Sequence, residues 1–493
     1  MTDLLAHVRG CTFDDFLFTP QHSVLERRDP ATVDLSSRLS EHLTLARPIV
    51  SANMDTVTRA EMAIAVAEEG GIGVIDRGFR SGDIEPQIRE VERVKRRQHG
   101  IIVDPYTIAP DSTVEQAAEM MRRTGVGSLV VADEQGRVAG LLTARDIRFV
   151  APDANVAERM TARDRLVVSE TRLDPAAAEA IMRIHKIKKL PIVSPGGTLL
   201  GLITAKDLLK QRQLPFATRD AHGRLRVGAA IGAKGDYLER AAELVRAGAD
   251  VIVIDIAHGH SAVMARAIDA FRARFGDMEL IAGNVATAAG VRFLLERGVN
   301  GVKIGIGPGG GCTTRLNTNF GVPQVEALAT AREAAGRVPL IADGGVKRDG
   351  AVVQALLFGG DTVMLGSMFA GTLETPGDTV QKPVVIPESQ RTVKVPFKVF
   401  RGMASLQAIV DRLDVEDAES ADVEALGAEG MEVSVPARGS VRPLIRNMLK
   451  HLCSAISYGG ARSLAELQED FRKDPFRYVV RLTESARRES FDR

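Results

Sequence analysis

The chain has no tryptophan, only three cysteines and no excess of either charge. Cys11, Cys312 and Cys453 are widely spaced and odd in number, which excludes a disulfide framework and offers no metal-ligand spacing. Lys plus Arg and Asp plus Glu each number 64, so non-specific attraction to nucleic acid or to a membrane surface is not its main business. Apolar runs such as Val251 to Ile256, with Asp255 inside, are far too short to span a bilayer. Met1 to Phe18 mixes Asp, Arg and His with apolar residues and shows no signal-peptide core. These absences lead us to expect a soluble protein of a reducing, cytoplasmic compartment. Glycine, by contrast, is abundant at 46 of 493 residues, which suits a loop-rich α/β enzyme. The length implies roughly two to four domains.

The densest glycine stretch is Gly301-Val302-Lys303-Ile304-Gly305-Ile306-Gly307-Pro308-Gly309-Gly310-Gly311-Cys312-Thr313-Thr314-Arg315. It reads as a short apolar strand running into a loop that ends on one thiol. Successive backbone N–H groups in such a loop form an anion-binding concavity. Oriented amides around a cysteine favour its thiolate. A buried, inert cysteine is the plainer reading, but the glycine density and the following Thr313, Thr314 and Arg315 favour chemistry.

Apolar, β-rich runs alternate with helical patterns. The runs are Pro48 to Ala52, Ile72 to Ile75, Val227 to Ile231, Val251 to Ala257, Leu280 to Val285, Val302 to Ile306, Leu340 to Asp343 and Thr362 to Leu365. Helical spacing marks Ala60 to Glu69, Tyr237 to Ala247, Ala262 to Phe275, Ala288 to Arg297 and Val322 to Ala335. Eight continuous apolar strands, nearly all followed by a helix, predict a parallel (β/α)8 TIM barrel, with a doubly wound open sheet as the alternative. Polar residues fall at the strand ends, where that fold places chemistry: Asn53 and Asp55, Asp255 and His258, Asn284, Cys312, Asp343-Gly344-Gly345 and Gly366-Ser367. Each alone could be a turn residue, but together they are hard to attribute to turns.

Between residues 96 and 214 the rhythm changes. Gly140-Leu141-Leu142-Thr143-Ala144-Arg145-Asp146 returns about 60 residues later as Gly201-Leu202-Ile203-Thr204-Ala205-Lys206-Asp207. Two copies do not make a solenoid. The pair resembles a tandem CBS, or Bateman, module inserted after the second barrel strand. That resemblance implies nucleotide-ribose contacts for Thr143, Asp146, Thr204 and Asp207; an empty dimerisation module is the alternative. A third feature, about residues 375–440, is too long for an ordinary βα connection and is acidic from Asp411 to Glu424. Long loops on a catalytic face act as lids, and a solvated acidic loop is the alternative.

Six motifs carry a resemblance to the IMP dehydrogenase/GMP reductase family over nearly the whole chain. They are Ser51-Ala52-Asn53-Met54-Asp55-Thr56-Val57-Thr58, Asp255-Ile256-Ala257-His258-Gly259-His260-Ser261, Ile281-Ala282-Gly283-Asn284-Val285-Ala286-Thr287, the Cys312 loop, Ala342-Asp343-Gly344-Gly345 and Gly366-Ser367-Met368-Phe369-Ala370-Gly371. The domains implied are 1–95 (barrel strands one and two), 96–214 (tandem CBS) and 215–493 (strands three to eight with the flap). The resemblance implies that the Cys312 thiolate adds to C2 of a purine nucleotide, assisted by Thr314 and Glu429. It implies ribose recognition by Asp343, 5′-phosphate binding by Gly345, Gly366, Ser367 and Gly310, and purine contact from Gly402 and Met403. Asp255, Asn284, Lys303 and Gly305 would lie by the nicotinamide cofactor. The carbonyls of Gly307, Gly309 and Cys312 would hold potassium, completed by a neighbouring subunit in a homotetramer or octamer.

Departures from the family pattern bear on which reaction is run. The dehydrogenase flap carries an Arg-Tyr pair about a dozen residues before the flap Glu or Gln, and the Arg activates water. Here that position reads Asp417-Ala418, with nothing resembling Arg-Tyr between Asp414 and Leu426. Gly310 replaces a Ser, Phe400 a Tyr and Ala404 a Gly, and Asp76-Arg77 stand where His with a basic neighbour is usual. The resulting expectation is a GMP reductase using NADPH, converting GMP to IMP and ammonia. An IMP dehydrogenase using NAD with an atypical flap is the alternative, favoured by the Bateman insertion and His258-Gly259-His260. A non-catalytic nucleotide sensor is the third reading. ATP- or GTP-type nucleotides are expected effectors of the inserted module.

Overall fold

The computed structural model describes residues 2–97, 101–102, 105–171, 173–386, 391–413 and 427–491. The chain forms two compact units, one of residues 1–97, 216–220 and 225–493, the other of 98–215 and 221–224. In the first, eight parallel strands close into a barrel: β1 (Ile49–Ser51), β2 (Ile72–Ile75), β3 (Val227–Ile231), β4 (Val251–Asp255), β5 (Leu280–Val285), β6 (Gly301–Ile304), β7 (Leu340–Asp343) and β8 (Thr362–Leu365). β8 pairs with β1 to complete the ring. The barrel expectation holds, and the open sheet is excluded. Strand β4 ends at Asp255 rather than Ala257, because the backbone leaves the ladder there for the loop that carries His258.

Strand periodicity explains both the core and the site. Ile252 and Ile254, Leu280 and Ala282, Val302 and Ile304, and Leu340 and Ala342 face the helices in the larger apolar core. The intervening Val251, Val253, Ile281, Ile341 and Met364 fill the barrel interior with Leu39, Leu43 and Leu45 from the N-terminal segment. Because side chains alternate, the same inward faces carry Asp255, Lys303 and Asp343 at the strands' C-terminal ends. The surrounding helices are α1 (Ala60–Glu68), α2 (Glu85–Arg96), α3 (Tyr237–Arg246), α4 (Ala262–Phe275), α5 (Ala288–Leu295), the short α6 (Thr314–Thr318), α7 (Gln324–Ala335) and α8 (Asp349–Leu357). Ser261 caps α4 and Thr287 caps α5 by accepting backbone N–H bonds, which fixes where each βα loop ends.

Beyond β8 the chain builds an antiparallel sheet of β9 (Val380–Ile386), β10 (Arg391–Arg401) and β11 (Glu432–Pro436). Helix α9 (Leu406–Val410) follows β10, and α10 (Val441–Tyr458) follows the flap. The acidic stretch 414–426, on which the Arg-Tyr comparison falls, lies outside the described residues.

The second unit contains two small sheets, one with strands Thr107–Ile108, Ser128–Ala132, Val138–Thr143 and Thr161–Ala162, the other with Ile101–Ile102, Lys189–Val193 and Leu199–Thr204. Each carries one of the repeated segments. Their hairpins meet reciprocally: Val138 N donates to Gly197 O and Leu199 N to Gly136 O, both at 3.0 Å.

The barrel is clipped where the chain leaves and re-enters it. Lys95, at the end of α2, donates to Asp250 at 2.6 Å and to Asp220 at 3.2 Å, and all three side chains are largely buried. Removing one partner of a buried ion pair strands the other charge. We therefore expect Lys95→Met to destabilise the barrel by roughly 3 kcal/mol, with partial recovery on adding Asp250→Asn, in urea denaturation followed by circular dichroism.

Candidate active site

A cleft of about 880 Å3 opens at the C-terminal ends of the barrel strands. Its walls include Asp255, Asn284, Lys303, Gly305, Gly307, Gly309, Gly310, Cys312, Asp343, Gly345, Gly366, Ser367, Gly402 and Met403, with Asn53, Met54 and Phe400. Thr314 and Glu429 stand behind Cys312. The residues expected on sequence grounds around the thiol thus converge. Thr143, Asp146, Thr204 and Asp207 belong to the second unit and form no part of this cleft.

At its floor lies one buried cation between two carboxylates. Lys303 Nζ donates to Asp343 Oδ2 at 2.6 Å and lies 3.5 Å from Asp255 Oδ2, with its side chain 3 % exposed. Burial opposes the ammonium charge, but Asp255 and Asp343 outweigh it and hold the Lys303 pKa above the ordinary lysine value. Burial likewise opposes the Asp255 carboxylate, and Lys303, Arg77 and the Asn53 amide bring its pKa below the ordinary value. Asn53 donates to Asp255, while Asn284 donates to Gly305 O at 2.8 Å and to Asp343 Oδ2 at 2.9 Å. One Asp343 oxygen is thereby committed to the protein. Gly283 faces Lys303 across the β5–β6 ladder, and a Cβ there would come within 2.5 Å of Lys303 Cβ. The lysine therefore needs glycine as its neighbour.

The thiol sits in a chain of proton donors. Cys312 Sγ is 3.2 Å from Thr314 Oγ1, which donates to Glu429 Oε2 at 2.7 Å. Glu429 reaches this position because the flap is stitched to the cysteine loop by backbone bonds. Thr313 N donates to Glu429 O at 2.9 Å, Met431 N to Gly311 O at 3.0 Å and Gly402 N to Met431 O at 3.0 Å. The three segments approach too closely for side chains: a Cβ on Gly402 would lie 2.3 Å from Gly311 O, and one on Gly430 2.6 Å from Ser405 N.

Two cations anchor β10. Arg401 donates to Asp55 through Nε at 3.0 Å and Nη2 at 2.5 Å, and to Asp411 at 2.6 Å. Burial works against its charge, but Asp55 and Asp411 prevail and raise its pKa. Lys398 donates to the carbonyls of Thr372, at 3.0 Å, and Thr375, at 2.7 Å, in the turn that follows Ser367. Sequence reading assigned Lys398 no role, since one lysine in a flap strand looks solvated. Asn53 and Asp55 were recognised only as strand-end residues, and their partners lie more than 200 positions away.

Among the described residues no cluster of His, Cys, Asp and Glu could hold a metal ion. The Gly309 carbonyl already accepts Cys312 N at 3.1 Å, and an oxygen-seeking monovalent cation would share it through its second lone pair. No described helix is long and apolar enough to cross a membrane.

A closed parallel barrel with a cysteine-bearing glycine loop at a polar mouth defines a TIM-barrel protein with a thiol at the end of its cleft. The chain belongs to the IMP dehydrogenase/GMP reductase family, whose domain model matches residues 10–492. This is an oxidoreductase family of purine metabolism that uses NAD(P)(H). An IMP dehydrogenase from Aquifex aeolicus (strain VF5) is 42% identical over 486 residues, covering 98% of this chain and 94% of the relative. One from Streptococcus pyogenes is 43% identical over 471 residues, covering 94% and 92%. Among solved structures, a cysteine-to-alanine variant of GMP reductase from Trypanosoma brucei with guanosine 5′-monophosphate superposes with a TM-score of 0.87 at 38% identity, covering 98% of this chain and 97% of that one. The same enzyme with guanosine 5′-triphosphate gives 0.78 at 35% identity, covering 98% and 100%.

Asp76, just past β2, is fully buried. Burial is the main cause that raises its carboxyl to about 6, against the pull of Arg59 and a hydrogen bond from Gly78 N. A carboxyl raised in the folded state adds stability that is complete below its unfolded pKa and lost as pH rises through the folded one. Relative to Asp76→Asn, the natural protein should therefore lose roughly 2 kcal/mol of stability between pH 4 and pH 7. Denaturation midpoints of both proteins across that range check it.

Proposed function

We propose that the chain is a GMP reductase, converting GMP to IMP and ammonia with NADPH as reductant. The observation that carries this reading is the flap sequence, which lacks the dehydrogenase's Arg-Tyr pair, and the Cys312–Thr314–Glu429 contacts give it its chemistry. The Cys312 thiolate adds to C2 of the guanine, the amine leaves as ammonia, and a hydride then reaches C2 as the sulfur departs. NADPH supplies that hydride. The thiol proton passes through Thr314 to Glu429 and returns to the departing amine, which cannot leave as an amide anion. Asp343 meets the ribose hydroxyls with its uncommitted oxygen. Gly345, Gly366 and Ser367 receive the 5′-phosphate beside Gly310, and Gly402 and Met403 lie along the purine. Asp255, Asn284, Lys303 and Gly305 form the floor beneath the nicotinamide end. Lys303 acts there chiefly by fixing the two carboxylates.

Flap residues 414–426 contain neither Arg nor Tyr. A second reading, IMP dehydrogenase producing XMP from IMP, NAD and water, has its own observation. Arg412 donates to Met403 O at 2.7 Å, and burial foremost, then Arg77, lowers its guanidinium to about 10. In that reading Arg412 activates water, and the names of the sequence relatives agree with it.

In the second unit, Thr143 N and Oγ1 both donate to Asp146 Oδ2 at 2.7 Å, presenting a preformed carboxylate to a ribose. We assign Thr143, Asp146, Thr204 and Asp207 to a regulatory ATP- or GTP-type nucleotide. The carbonyls of Gly307, Gly309 and Cys312 are assigned to potassium in a homotetramer or octamer.

Purified protein should consume NADPH with GMP and release IMP and ammonia in equal amounts. Formation of NADH from IMP and NAD instead would establish the second reading. Cys312→Ala should abolish turnover, and Glu429→Gln should slow ammonia release by about 10²–10⁴-fold.

A further inference from the structure

A second cavity, of about 600 Å3, adjoins the phosphate end of the cleft, and Ser367 lines both. Lys347, Arg438 and Asn447 line this second space. Neither cation forms an ion pair among the described residues; the contact recorded for Arg438 is a long bond, 3.5 Å, to Met368 O. The carboxylate of the cavity, Asp349, is engaged by His451 Nδ1 at 2.5 Å. Two exposed cations without an ion pair and an exposed amide therefore line a pocket that also holds the Asp349 carboxylate. A phosphoryl group placed there would accept several charge-assisted bonds from the two cations and the amide at once.

Ser367 is the residue that the two linings share. A Cβ on Gly310 would lie 3.7 Å from Ser367 Cβ, so a side chain fits there, yet the sequence places none.

We propose that this cavity is an anion subsite for the second phosphoryl group of a nucleoside 5′-diphosphate whose first phosphate lies at Ser367. The inference rests on the reading of Gly345, Gly366 and Ser367 as the 5′-phosphate site. It makes the diphosphate a competitive ligand of the cleft, independent of the nucleotide site assigned to the second unit. The monophosphate substrate leaves the subsite empty.

Alkylation of Cys312 by iodoacetamide, read by peptide mass on the full chain, reports occupancy of the cleft without turnover, because Cys11 and Cys453 are buried. GMP and GDP should each protect Cys312. In Lys347→Met/Arg438→Met, the GDP concentration for half-protection should rise at least fivefold, while that for GMP stays within twofold. The single charge reversal Lys347→Glu should act in the same direction. Equal weakening of GMP and GDP, or no change for either, would overturn the subsite. So would orthophosphate alone protecting as well as GDP, since that marks a free-anion site rather than an extended nucleotide site. Failure of GMP and IMP to protect the unmodified protein would instead refute the reading of the cleft itself.

Discussion

The mouth of the barrel depends on a single buried ammonium. Three inward-facing strand ends bring Asp255, Lys303 and Asp343 together, and the ammonium between them offsets the repulsion of the two carboxylates. With it, the cluster carries one net negative charge, eased by the Asn53 and Asn284 amides and by the field of Arg77. The arrangement costs desolvation energy and contributes little to stability by itself. Its effect is geometric. Asp343 is held with one oxygen committed, and Asn284 is tied both to that oxygen and to the backbone at Gly305, where the glycine loop begins. The loop bearing Cys312 therefore starts from a fixed point.

The other end of that loop is fixed by the flap. Backbone bonds from Thr313 and Met431 make the cysteine loop and residues 429–431 neighbours, and Gly311, Gly402 and Gly430 allow the close approach. Strand β10 is held down at two points three residues apart, by Lys398 against carbonyls of the turn beyond Ser367 and by Arg401 against Asp55. The flap is thus a fourth wall of the cleft along its described length. On the proposed reading the flap supplies Glu429 to a proton relay, a role that demands close registration.

Much of this was legible in the sequence. The continuous apolar runs Val251-Ile252-Val253-Ile254-Asp255 and Leu340-Ile341-Ala342-Asp343 already placed both aspartates at strand ends, and their inward direction follows only from barrel closure. The glycine loop identified Cys312, and the motif order identified the family. The ion pairs were not legible, because Asn53 with Asp255, Asp55 with Arg401 and Lys95 with Asp220 join residues brought together only by barrel closure. Lys398 was hidden for a related reason: an alternating strand marks which face a side chain takes, and not what covers that face. Lys303 was placed beside the cofactor on sequence grounds, yet its ammonium is spent on two carboxylates beneath it.

On the proposed reading, the two reactions of the family ask different things of the groups around Cys312 and of the flap beside it. Expelling an amine requires a proton delivered to nitrogen, whereas hydrolysis requires one removed from water beside C2. A carboxylate reached through Thr314 can hold and return the thiol proton, which completes the first task without any further group. The second needs a base that is neutral at working pH. Arg412, lowered to about 10, is the arginine next to the cleft through its bond to Met403. At neutral pH only about one guanidinium in a thousand with that pKa is unprotonated. One of its five N–H donors is also held by the Met403 carbonyl, at 2.7 Å. On the proposed reading, contacts already made from Cys312 through Thr314 to Glu429, beside a scarce neutral arginine, favour deamination over hydrolysis.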